Sequence, residues 1–147
     1  MTQASRESIQ LRYQLAGTGT IRAGVPAGPV ALVVDDDTAM TRFVGGVLAT
    51  AGITTVAAYD AIQGFLVAQR QLPAVIFVDW HMPAGGGPQL LRRLQEHIRT
   101  AVIPAFVITA DGAEKIPGEA LALGARGVLR KPIEPAQLLE LVSPLVR

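Results

Sequence analysis

From residue 30 onward, short apolar runs alternate with stretches whose apolar residues recur every three or four positions. Residues 30–34 form a continuous apolar run of the kind that makes a strand buried on both faces, and the run stops on Asp35, Asp36 and Asp37. Met40, Phe43, Val44, Val47 and Leu48 then fall at helical spacing until Gly52 halts them. The cycle repeats. Residues 53–57 are a second strand, and Ile62, Phe65 and Leu66 mark a helix that ends before Pro73. Val75, Ile76, Phe77 and Val78 make a third strand that ends abruptly on Asp79, after which Pro83 and Gly85, Gly86 and Gly87 stop any immediate helix. Leu90, Leu91, Leu94 and Ile98 give the next helix, and residues 103–109 a fourth strand ending on Thr109. A weak helix over residues 113–123 is interrupted in pattern by Pro117 and Gly118 and closed by Gly124. Residues 126–130 form a fifth strand before Lys131 and Pro132, and Pro135 opens a last helix carrying Leu138, Leu139, Leu141 and Val142. Five strand–helix units in succession predict an α/β domain, a doubly wound parallel sheet with right-handed crossovers.

Residues 1–29 depart from this rhythm and are read as an N-terminal extension to a domain spanning 30–147. Ile9, Leu11, Tyr13 and Leu15 alternate with Gln10, Arg12 and Gln14, the period of a half-buried strand. Gly17, Thr18 and Gly19 would turn the chain into a second short strand near residues 20–22. The pattern fits a flexible leader ending in the Gly- and Pro-rich linker 24–29, an intramolecular hairpin, or a hairpin that forms a homodimer.

A chain of 147 residues, half of them hydrophobic but only 5% aromatic, suits one domain of Val- and Ala-rich strands covered by helices. The net charge of +1 gives no electrostatic case for nucleic acid or a membrane surface as partner. The absence of cysteine excludes disulfides and thiolate metal sites. No apolar run approaches the roughly 20 residues of a membrane-spanning helix, and the first residues lack a signal-peptide core, so a cytoplasmic protein is the expectation.

In open α/β sheets ligands sit at the carboxyl edge of the strands. To that edge the first strand delivers Asp35, Asp36 and Asp37, the third Asp79 and the fourth Thr109, with Lys131 following the fifth. Carboxylates converging in one pocket repel one another unless a cation neutralises them. Oxygen ligands with no His or Cys pair suit Mg²⁺, which is held by a few carboxylates, waters and the oxygens of a phosphate. Lys131 supplies a point charge for such a phosphate, and Thr109 a hydroxyl donor.

Over roughly residues 30–143 the chain resembles the response-regulator receiver domain of two-component signalling. The matching pieces are Val33, Val34, Asp35 and Asp36 for the acidic pair, and Asp79, Trp80, His81, Met82 and Pro83 with Gly87 for the phosphoacceptor loop. Thr109 and Ala110 supply the hydroxyl, and Lys131 and Pro132 the lysine. The resemblance implies a flavodoxin-like sheet of strand order 2-1-3-4-5 and a signalling module rather than an enzyme. It implies phosphoryl transfer onto Asp79 from a histidine kinase or histidine phosphotransfer protein, with an output protein that the residues do not identify. It further implies Mg²⁺ held by Asp36, Asp79 and the backbone carbonyl of His81, with Asp35 acting through water, and a cis peptide between Lys131 and Pro132.

The chain departs from the family in places. Asp37 is an added acid, read as an N-cap of the first helix. His81, two residues after the acceptor, lines the path of attacking water, and His97 lies too far along a helix to partner it. Val128 stands three residues before the lysine, where many members carry Tyr or Phe, so the usual threonine–aromatic switching pair is not expected here. Arg126, Gly127 and Val128 also differ from the winged-helix transcription-factor subfamily, and no DNA-binding output is expected on this chain. The alternative is a haloacid-dehalogenase-like phosphatase using Asp35 as nucleophile and Asp37 as acid/base. It leaves Asp79 without a role and lacks the later acidic cluster, because only Glu134 and Glu140 follow Lys131.

Overall fold

The apolar runs become five parallel strands in the computed structural model, which describes residues 28–146. They are β1 (Val30–Val34), β2 (Thr54–Ala58), β3 (Val75–Asp79), β4 (Ala105–Thr109) and β5 (Gly127–Arg130). Their order is β2-β1-β3-β4-β5, the 2-1-3-4-5 arrangement implied by the resemblance. Six α-helices connect and cover them: α1 (Thr38–Ala49), α2 (Ala61–Gln71), α3 (Gly86–Gln95), α4 (Ile98–Ala101), α5 (Lys115–Ala122) and α6 (Pro135–Val142). Residues 1–27, on which most of the expected extension and its hairpin fall, lie outside the described residues. Among the described residues no helix is long and apolar enough to cross a membrane.

Side chains alternate across each strand, so the sheet carries one apolar cluster on each face. Leu32, Val34, Ile76 and Val78 point into the cluster completed by Phe65 of α2, Leu90, Leu91 and Leu94 of α3, and Ile116 and Ala120 of α5. Ala31, Val33, Val75 and Phe77 point into the other, with Val44 and Leu48 of α1 and Leu138 and Val142 of α6. Register then fixes where the strands stop. Val34 pairs with Val78, Asp79 with Ile108 and Thr109 with Arg130, so the residues that end these strands reach one edge together.

Local chemistry sets the helix starts. Asp37 caps α1 by accepting from the Ala39 N–H at 2.9 Å, and Asp60 caps α2 by accepting from the Gln63 N–H at 2.7 Å. Pro135 opens α6 behind a capping box between Glu134 and Gln137. The apolar helical pattern through Ile98 is in fact broken after Gln95, because Thr100 Oγ1 donates to the Leu94 carbonyl at 2.7 Å and His97 is extended (φ −123°, ψ 128°). The glycines after Pro83 do not keep helix away: a 3₁₀ turn over Pro83–Gly85 leads directly into α3 at Gly86. Strands β2, β4 and β5 begin one or two residues later than their apolar runs, and α5 is shorter than its pattern.

Helix α2 packs tightly on the sheet at Gly64, where a Cβ would meet the Val34 methyls at 3.0 and 3.1 Å and Leu90 at 3.2 Å. Gly46, in the exposed part of α1, has nothing within 4 Å of its added Cβ. Gly64→Val should therefore lower stability by about 2 kcal/mol through overpacking. Gly46→Ala should raise it by roughly 0.5–1 kcal/mol through helix propensity. Urea midpoints of the two variants check both signs.

Candidate functional site

The site begins with the turn after β1, where three consecutive acids take three different environments. Asp35 is 1% exposed, and its Oδ1 accepts the Asp37 backbone N–H at 2.9 Å. Asp36 is exposed beside it. Asp37 turns its carboxylate to the start of α1, as the N-cap reading expects. At the end of β3, Asp79 is 8% exposed. Carboxylate oxygens of Asp35, Asp36 and Asp79 all lie within 4.8 Å of one another. The expectation of four converging carboxylates is thus corrected to three, since the side chain of Asp37 is taken up by the helix. An oxygen-only cluster of this size could hold a hard divalent cation.

Lys131, carried past the end of β5 and followed by a cis bond to Pro132, reaches back to the cluster. Its Nζ donates to Asp35 Oδ2 at 3.4 Å and lies 3.7 Å from Asp79 Oδ2. One ammonium among three carboxylates leaves the pocket negative. Burial pushes the Asp79 carboxyl up from its ordinary 3.8 to about 6, and the Asp35 charge adds to the rise. Lys131 and the His81 backbone N–H oppose it without cancelling it. Asp79 is therefore held next to a like charge in a poorly solvated position, a state that a bound cation or a change of covalent state relieves.

Thr109, at the end of β4, is 1% exposed, and its Oγ1 accepts the Asp111 N–H at 3.0 Å. Asp111 is a residue that the pattern of the chain did not single out. Its Oδ1 accepts the Ala113 N–H at 2.9 Å, and its Oδ2 accepts from His81 Nε2 at 2.8 Å. Those bonds, the His81 one foremost, hold the Asp111 carboxyl below the usual carboxylate range. His81 thus finds an acid across the mouth of the site, while His97 packs against Phe65 with ring centroids 5.0 Å apart, away from the cluster.

The glycines after Asp79 let backbone lie against backbone. A Cβ on Gly87 would sit 2.9 Å from the Asp79 carbonyl oxygen, and one on Gly86, at φ +60°, would sit 2.6 Å from that of Trp80. The Gly87 N–H donates to the Trp80 carbonyl at 3.0 Å. This close wrap fixes the loop that carries His81, and Trp80 is buried in the core at 7% exposure.

Comparison with known proteins agrees with this geometry. The family described as the response regulator receiver domain matches residues 31–143. The phosphate regulon transcriptional regulatory protein PhoB of Pseudomonas aeruginosa is 30% identical over 120 residues, covering 82% of this chain and 52% of that protein. The DNA-binding dual master transcriptional regulator RpaA of Synechocystis is 33% identical, covering 81% of this chain and 49% of its own length. The chain therefore spans about half the length of these curated relatives. Among solved structures, the chemotaxis response regulator CheY4 of Vibrio cholerae superposes with a TM-score of 0.74 at 26% identity, covering 81% of this chain and 99% of that one. A response regulator protein from Burkholderia multivorans gives 0.69 at 31% identity, covering 82% and 96%.

The raised Asp79 carboxyl has a consequence for stability. Folded Asp79 binds its proton more tightly than the unfolded chain does, so charging it destabilises the fold. That cost is absent below 3.8, grows between 3.8 and about 6, and is fully present above about 6. Asp79→Asn should stabilise the protein at about pH 7 by up to about 3 kcal/mol and have little effect near about pH 3.5. Urea denaturation of both proteins across this range is the check, and a difference that does not grow with pH would contradict the buried like-charge pair.

Proposed function

The chain belongs to the response regulator receiver domain family, and on that premise we propose that Asp79 is the phosphoacceptor of a two-component signalling switch. The observation that carries this reading is the placement of Asp79: it ends the central strand with its carboxyl raised to about 6, 3.7 Å from Lys131 and within 4.8 Å of Asp35 and Asp36. The donor is the phosphohistidine of a histidine kinase or of a histidine phosphotransfer protein. An Asp79 carboxylate oxygen attacks phosphorus, the P–N bond breaks, and the imidazole leaves with the bonding pair. Little covalent chemistry is required of the protein, so positioning and charge compensation do most of the catalysis.

Each neighbour then has a part. Lys131 keeps its ammonium between Asp35 and Asp79, where it meets the phosphoryl oxygens as a point charge. Thr109 Oγ1 already accepts one hydrogen bond from Asp111, which leaves its proton free to donate to a phosphoryl oxygen. Asp36, Asp79 and the His81 carbonyl are the groups that would hold Mg²⁺, with Asp35 acting through water. When bound, Mg²⁺ would offset the charge of the carboxylates and of the incoming phosphoryl group.

Asp37 is turned to α1 at 2.9 Å from the Ala39 N–H, which removes the acid/base partner that a phosphatase built on Asp35 would need. The output is a change of partner binding. Val128 is half-buried against the α2–α3–α5 side of the core, too short and stiff to swing as a large ring would. The response is accordingly assigned to the backbone of residues 110–114 and to α5, a helix of eight residues in which Pro117 sits in the first turn and Gly118 lowers helical stability.

Acetyl phosphate with Mg²⁺ should label Asp79 alone, and Asp79→Asn should abolish the label. Mass spectrometry locates it, and a phosphoryl group on Asp35 or Asp37 would favour the phosphatase instead. Trp80 is the single tryptophan and directly follows the acceptor. Its emission should change saturably on adding Mg²⁺ and again on adding the phosphoryl mimic beryllofluoride. Emission indifferent to both would count against the proposed acceptor.

A further inference from the structure

Three hydrogen bonds meet at Asp111, and each leads to a different part of the switch. Its backbone N–H holds Thr109 Oγ1 at 3.0 Å. Its Oδ2 holds His81 Nε2 at 2.8 Å, across 30 residues of sequence. Its Oδ1 holds the Ala113 N–H at 2.9 Å, and Ala113 in turn accepts the N–H of Ile116 in the first turn of α5 at 3.2 Å. The residue preceding α5, Glu114, makes no side-chain capping bond. Asp111 is therefore the nearest side-chain anchor ahead of that helix. The loop is gripped from the other side as well, since Arg130 of β5 lies over Gly112, where an added Cβ would come within 2.7 Å of its guanidinium.

We propose that Asp111 is a positioning residue that relays the state of the acceptor to α5, taking the place of the ring that Val128 does not supply. The inference rests on Asp79 being the phosphoacceptor. A phosphoryl group on Asp79 draws Thr109 toward it. The Asp111 backbone follows through the bond to Oγ1, and its carboxylate shifts against His81 and the Ala113 N–H together. Asp111 thus answers to both loops that face the acceptor and passes the displacement to the start of α5, a helix of only eight residues that Gly118 leaves easy to displace. His81 and Asp111 are 64% and 39% exposed at the side chain, so the link is weak and reversible, as a switch requires.

The test is amide hydrogen exchange over residues 115–122, with and without beryllofluoride and Mg²⁺, in the full chain and in two variants. Trp80 emission is followed in parallel as a reading of acceptor occupancy. The wild-type helix should change its exchange on binding. Asp111→Ala should still show the saturable Trp80 response while the exchange change in residues 115–122 falls by about twofold to fivefold, the range over which an exposed pair can bias an equilibrium. Asp111→Asn, which keeps an oxygen for the Ala113 N–H, should recover part of it. A Trp80 response with undiminished exchange changes in Asp111→Ala would overturn the relay and leave the acceptor assignment standing. No Trp80 response in the wild type would overturn both.

Discussion

A buried carboxylate beside a second one is the constraint on which this molecule turns. Asp35 and Asp79 are both under a tenth exposed, and a single lysine is shared between them. In a medium of low effective dielectric, that arrangement is uncomfortable by design of position rather than by accident of sequence. The sheet makes it unavoidable. Parallel pairing of β1 with β3 in the register that sets Val34 opposite Val78 brings the next residues, Asp35 and Asp79, out side by side. To relax the pair by moving either acid, the chain would have to slip β1 or β3, strands that are themselves buried almost throughout, and a one-residue slip would reverse every side chain. The core therefore holds the charges together, and the charges make the site responsive to whatever neutralises them.

The fold and the heart of the site were legible in the chain because both rest on strong local signals. A strand buried on both faces leaves a continuous apolar run, and a carboxylate that ends one stands out, which is how Asp35, Asp79 and the order of elements could be anticipated. Lys131 and Thr109 were visible for the same reason, as polar residues closing apolar runs. Three consecutive acids are a different matter. Nothing in their sequence says which faces inward, and the division of labour among Asp35, Asp36 and Asp37 is settled by backbone geometry at the entrance of α1.

What escaped the sequence did so for identifiable reasons. Asp111 lies in a polar loop, surrounded by residues of the sort that any loop contains, and its partner His81 is 30 positions away. No periodicity reports a contact of that kind. The break between α3 and α4 was hidden because Ile98 continues the apolar spacing, yet it is 87% exposed, and Thr100 reaches the Leu94 carbonyl instead. The glycines after Pro83 carry the signature of helix breakers, whereas their work is to let the start of α3 press on the carbonyls of Asp79 and Trp80. Conformational freedom and close approach call for the same residue, and only the packing around it distinguishes them.

The all-parallel order of the sheet also governs how the domain can be wired. Every strand runs toward the edge that carries Asp79, so the chain enters β1 at Val30 from the opposite edge. The last helix, α6, starts from the Asp79 edge after β5 and covers the sheet face alongside α1. A connecting crossover of this kind returns the chain toward the edge from which strands begin. Entrance and exit thus share one pole and chemistry occupies the other. Such a unit behaves as a cassette: the chain can be extended before β1 or after α6 from the pole opposite the acidic cluster, and the polarity of a single sheet sets that separation.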